Sequence, residues 1–194
     1  LLYPAIHDIL QKYVPSKSFY VVLSNSYNNS LELSYFSDEK DGIAVALNQS
    51  NSFDEGATGY VFKQGKTAYF TKKQMQQAAA DGLFKALGTP AEHWVGVPVY
   101  QEKNIIGVLA AQSYDTQQGY SSGQIQLLEV MSLYLATAIE RVKKRELLES
   151  EVKIRTRALT QSNDALNIEV EQRKRALQRQ QILFKISELA TQAK

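Results

Sequence analysis

Apolar positions in this chain follow two different rhythms, with the change close to Gly123. Before it the period switches every few residues. In "YPAIHDILQKYV", Ile6, Ile9, Leu10 and Tyr13 share one face of a short amphipathic helix. "SFYVVLSNS" and "SLELSYFSD" read as strands joined by a turn at "YNN", and the alternation of Leu31, Leu33 and Tyr35 gives the second strand one buried face. "DEKDGIAVALNQSNSFDEG" has no clear period and reads as a loop. "ATGYVFKQ" is a short helix closing on Gly65 as a left-handed cap, after which "KTAYF" leaves as a strand. "KKQMQQAAADGLFKALG" predicts a helix broken at Gly82, and "HWVGVPVYQEKNIIGVLAAQSYD" a hairpin around the polar turn "QEKN". Strands in runs, flanked by helices, predict an α+β domain with a central antiparallel sheet.

After Gly123 there is no glycine or proline, and one heptad frame persists. Leu128, Leu135, Val142, Glu149, Thr156, Asn163, Val170 and Leu177 take the a positions. Met131, Ala138, Arg145, Val152, Leu159, Leu166 and Arg173 take the d positions. A frame sustained for about eight heptads predicts a coiled-coil helix, roughly 95 Å long if it continues to residue 186. The expected partner is a second copy running parallel. Arg141 then faces Glu146, Glu169 faces Lys174, and Asn163 meets its own copy. Arg145, Glu149, Arg173 and Gln180 interrupt the seam, either keeping it weak and able to rearrange or simply being tolerated there.

Composition removes several chemistries. With no cysteine in 194 residues there is no disulfide, thiolate metal site or cysteine nucleophile. The net charge of +2 gives no electrostatic argument for nucleic acid or membrane, and no run approaches the roughly 18 apolar residues of a membrane span. Arg173-Lys174-Arg175 lies within the heptad, so it reads as a solvated coiled-coil face rather than a DNA-contacting basic region. Lack of cysteine fits a cytoplasmic setting, and a start at Leu1 with no signal-peptide pattern suggests a piece of a longer protein. "GYVFKQGKT" resembles a phosphate-binding loop, but Gly59 and Gly65 are one residue too far apart and Tyr60, Val61 and Phe62 are too bulky for a phosphate cradle. The sequence presents no nucleophile elbow, HExxH or histidine–carboxylate spacing, so no catalytic residue and no metal ligand is expected.

"GATGYVFKQGKTAYF" followed by "HWVGVPVYQEKNIIGVLAAQSYD" resembles the GAF family of bacterial sensory domains. Gly56, Gly59, Val61 and Gly65 carry the first motif. Trp94, Gly96, Val97, Pro98, Gly107, Val108, Leu109, Gln112, Ser113 and Tyr114 carry the second. The resemblance covers residues 1 to about 142 and implies helices on one face of the sheet with a ligand pocket on the other. In "WVGVPVY", Val95, Val97 and Val99 form the face suited to helix packing. The opposite face carries Trp94, Gly96, Pro98 and Tyr100. Gly96 and Gly107 mark close approach to the backbone, and the pocket candidates are Tyr20, Tyr35, Tyr69, Phe84, Trp94 and Gly96, the alternative being that these rings only fill the core.

No ligand is identified by these residues. A thioether-linked bilin needs cysteine; Asn48, Phe53, Asp54 and Glu55 match the cyclic-nucleotide signature of the family poorly; His7 and His93 read as surface groups rather than haem ligands. The helix from residue 143 to 182 is similar to signalling helices, and residues 183–194 to the start of a second GAF domain. The resemblance therefore implies a non-catalytic sensory and dimerisation module. It would act through a parallel coiled coil on an output domain such as a diguanylate cyclase. The alternatives are the sensor region of a histidine kinase and a ligand-free dimerisation scaffold.

Overall fold

The computed structural model describes residues 2–14, 17–25, 30–43, 50–117 and 119–192. The expected "YNN" turn and Asn48 lie outside them. The chain divides into two compact units, residues 1–141 and 142–194.

In the first unit the order is α1 (Leu2–Leu10), β1 (Ser18–Ser24), β2 (Leu31–Ser37), a 3-10 helix (Ser50–Glu55), α2 (Ala57–Gln64), β3 (Ala68–Thr71), α3 (Lys72–Ala80), β4 (His93–Gln101) and β5 (Asn104–Ser113). It ends in helix α4 (Ser122–Gln192), which extends into the second unit. The five strands form one sheet in the order β2-β1-β5-β4-β3, every neighbouring pair antiparallel. Pro98 fits inside β4 because β3 begins at Ala68, opposite Gly96, leaving the side of Pro98 that lacks an N–H without a ladder partner.

Local chemistry sets the element ends. Gly65 closes α2 with φ 64°, and its N–H returns to the Val61 carbonyl, as the sequence predicts. Thr71 and Gln74 form a capping box that starts α3, and Ser121 and Gln124 exchange the same pair of bonds before α4. The β4–β5 hairpin turns through Glu102 and Lys103, with Glu102 at φ 56°.

β1, β4 and β5 are buried on both faces, which is why they read as nearly continuous apolar runs. On one face Phe19, Val21, Val95, Val97, Val99 and Leu109 pack with Ile6 and Leu10 of α1 and with Leu128, Leu135 and Ile139 of α4. On the other, Tyr20, Val22, Leu31, Trp94 and Val108 pack with Phe53 and Val61. Full burial of a side chain such as Phe19 contributes about 2 kcal/mol.

Two expectations require correction. The β1–β2 register shifts between Val21 and Val22, so Val21 pairs with Tyr35 while Val22 pairs with Leu33. Ser34 is the extra residue of a bulge, and it sends Tyr35 to the α1 face while Leu31 and Leu33 stay on the other. The buried face of α1 is centred on Ile6, His7 and Leu10. Ile9 and Tyr13 are 48% and 66% exposed, because the helix stops at Leu10 and His7 is held inward by Tyr35.

In the second unit residues 142–192 are helical, and the side chains of residues 142–183 are all exposed.

Candidate functional site

On the sheet face away from α1, Trp94 of β4 donates its indole N–H to the Tyr20 hydroxyl of β1 at 3.0 Å. Tyr20 in turn lies 2.9 Å from Thr58 Oγ1, in the first turn of α2. Burial is the main force holding the Tyr20 phenol above its ordinary pKa; the Asp38 charge raises it further, while the hydrogen bonds to Thr58 and Trp94 oppose the shift. The hydroxyl is therefore neutral at physiological pH and available only as a hydrogen-bonding group.

These three residues form one wall of a cavity of about 80 Å³. Phe36, Phe53, Met75, Phe84 and Ala91 add apolar wall, and Asp41, Thr89 and Gln112 add polar groups. That volume is far below the roughly 300 to 1,000 Å³ of pockets for drug-sized ligands. It holds a few water molecules or an organic molecule of a few heavy atoms.

Two polar ties border the cavity. Asp41 accepts from the Thr89 hydroxyl at 2.6 Å and the Thr89 N–H at 3.0 Å. Asp38 accepts from Tyr114 and Gln112, and also from the backbone N–H groups of Lys40 and Asp41. Burial first, and then the Asp38 charge and hydrogen bond, push the Tyr114 phenol far above its ordinary range, with the Asp41 charge adding to the effect. The Lys40 ammonium lies 4.4 Å from the centre of the Tyr114 ring.

A family model for the GAF domain matches residues 2–140. The chain belongs to the GAF domain family. Among curated proteins none matches the sequence at a significant level. Solved structures with the same fold include the GAF domain of a two-component sensor histidine kinase from Bacillus halodurans. It is 17% identical, with a TM-score of 0.54 and coverage of 74% of this chain and 94% of that one. The GAF domain from an Acinetobacter phosphoenolpyruvate-protein phosphotransferase is 18% identical, with a TM-score of 0.53 over 73% and 79% of the two chains. A free methionine-R-sulfoxide reductase from Neisseria meningitidis, in complex with its substrate, is 17% identical at a TM-score of 0.53 over 71% and 75%. The same fold thus occurs in GAF domains of a sensor histidine kinase and a phosphotransferase and in a reductase.

In this GAF domain the six expected pocket residues separate. Tyr20, Phe84 and Trp94 line the cavity. Tyr35 and Tyr69 pack on the opposite face. Tyr35 is bonded to His7 Nδ1 at 3.0 Å, and Tyr69 to His93 Nδ1 at 2.7 Å. Gly96 is not a lining residue: a Cβ there would lie 2.3 Å from the Trp94 ring, so the glycine makes room for the indole rather than for a ligand. A Cβ at Gly107 would similarly meet the Val22 carbonyl at 2.2 Å, the close approach expected there. His7 is not a surface group but is buried and stacked on Phe19.

Sequence reasoning named Phe53 only as part of a nucleotide signature, yet Phe53 lines the cavity. The residues that follow it diverge. Glu55 pairs outward with Lys85, and the Asp54 carbonyl accepts from Lys63. Asp41, Thr58, Thr89 and Gln112 were missed as a set, because no spacing rule links loops that meet only in three dimensions. Among the described residues no group of acids and histidines is placed to hold a metal ion. None of the described helices is long and apolar enough to cross a membrane.

The coiled-coil candidates also separate. Leu128 and Leu135 are 0% exposed, seated against β4 and β5, so they belong to the core of their own domain and not to a seam. Val142, Val152, Leu159, Leu166, Val170 and Leu177 are between 48% and 69% exposed. Asn163 is exposed among them.

Proposed function

We propose that this chain is a non-catalytic sensory and dimerisation module of a bacterial signalling protein. Occupancy of the cavity beside Trp94 is relayed through a parallel coiled coil to an output domain, of the diguanylate cyclase or histidine kinase kind. The single observation that carries this reading is the exposed apolar register from Val142 to Leu177, which one chain leaves in water. A second copy laid parallel covers those positions, aligns Asn163 with itself and sets Glu169 against Lys174. In the single chain these charges make only exposed pairs along the helix, Glu169 with Arg173 and Glu171 with Lys174, which contribute little.

Relay requires two packings of the helix pair, close in free energy, that the sensor end stabilises differently. Glu149 and Arg173, at seam positions, keep the pairing weak enough for that. The open volume beside Trp94 supports sensing over the scaffold reading, in which rings would fill that space. With no cysteine in the chain, a thiol-based reduction is not part of this reading.

The test is sedimentation equilibrium at tens of micromolar. Twice the 21.8 kDa chain mass is expected. A monomer overturns the proposal, as does a dimer whose single-cysteine variants Val152→Cys and Leu166→Cys fail to cross-link to themselves.

A further inference from the structure

The cavity wall holds one hydrogen too many. Trp94 donates to Tyr20, and Tyr20 and Thr58 share one bond, so the pair uses only one of its two hydroxyl hydrogens. Among the described residues the other, on Thr58 or Tyr20, has no acceptor, although both residues are more than nine-tenths buried. A buried donor in that state calls for an acceptor atom supplied from the cavity.

Charge points to the rest of the occupant. Asp41 is the only carboxylate lining the cavity among the described residues, and it has no cationic partner there. Its two bonds from Thr89 leave half of its lone-pair positions open. Among the described residues the one lining cation, Lys85, has its ammonium 2.8 Å from Glu55 and largely in solvent. Nearby Lys40 has its ammonium over the Tyr114 ring instead. Tyr20, Phe36, Phe53, Phe84 and Trp94 supply the aromatic surroundings that favour an organic cation over a hydrated one.

We propose that the cavity binds a small organic ammonium that also carries an acceptor oxygen, of the size of an amino alcohol. Its ammonium faces Asp41 and the aromatic wall, and its oxygen accepts from the Thr58–Tyr20 pair. This deepens the sensing half of the proposed function and leaves the dimer untouched, so the two fail separately.

The experiment titrates the full chain with ethanolamine and choline at low ionic strength, following emission of the single tryptophan and ligand-observed NMR. The comparison compounds are 3,3-dimethyl-1-butanol (the uncharged shape of choline), tetramethylammonium (charge without oxygen) and glycolate. Saturable binding of an amino alcohol is expected, at least about tenfold tighter than its uncharged shape and weakening as salt rises. Asp41→Asn removes the preference for charge. The double variant Tyr20→Phe, Thr58→Val, which removes both hydroxyl hydrogens, weakens the amino alcohol by about three- to tenfold but not tetramethylammonium, whereas Thr58→Val alone frees the Tyr20 hydrogen to donate and keeps the amino alcohol bound. Glycolate or the alcohol binding as tightly as choline overturns the ligand class while leaving a usable cavity. No saturation by any compound overturns the class and the sensing reading together, whatever the oligomeric mass.

Discussion

Trp94 owes its position to the absence of a side chain two residues on. A methyl at Gly96 would sit 2.3 Å from the ring, and the indole N–H would lose its seat on Tyr20. Gly96→Ala is expected to destabilise the domain by about 1 to 3 kcal/mol and to shift the emission of the lone tryptophan to the red. Calorimetry and fluorescence check both. Tyr20 and Tyr114 make a second prediction. Both phenols are held above their ordinary value of 10.0, chiefly by burial, so the folded state keeps protons that the unfolded state gives up. Their contribution is fully present below pH 10 and is lost as pH rises above it. Urea midpoints should fall as pH rises from about 10 to about 11, and Tyr114→Phe should flatten that slope.

At the scale of elements, the legible features were those that carry their own punctuation. Gly65 and the "QEKN" turn fix boundaries locally, so α2 and the β4–β5 hairpin could be read directly. The bulge at Ser34 carries no such mark, and it moved Tyr35 from the expected pocket to the α1 face. The heptad misled for a related reason: spacing records which helix face is apolar but not what covers it. At Leu128 and Leu135 the cover is the domain's own sheet. Replacing Leu135 with alanine should therefore cost about 2 to 5 kcal/mol of domain stability at any protein concentration. Leu159→Ala should leave domain melting unchanged and instead raise the concentration at which dimers dissociate in sedimentation. The cavity was half legible. Tyr20, Phe36 and Trp94 come from strands, but Phe53 and Phe84 do not, and Asp41, Thr58 and Thr89 reach the cavity from a loop, a helix start and another loop.

For the molecule as a whole, the relay proposed above would depend on how the sheet is shared. Trp94 and Val95 are consecutive residues of β4, yet one borders the cavity and the other packs in the cluster with Leu128 and Leu135. β1 repeats the arrangement, with Tyr20 toward the cavity and Val21 toward the helices. The partition between the two sides is thus a single strand thick, and no soft layer stands between them to absorb a displacement. A molecule that displaced the backbone at Trp94, and not only its ring, would carry the Val95 Cα with it and so disturb the cluster that holds Leu128 and Leu135 of α4.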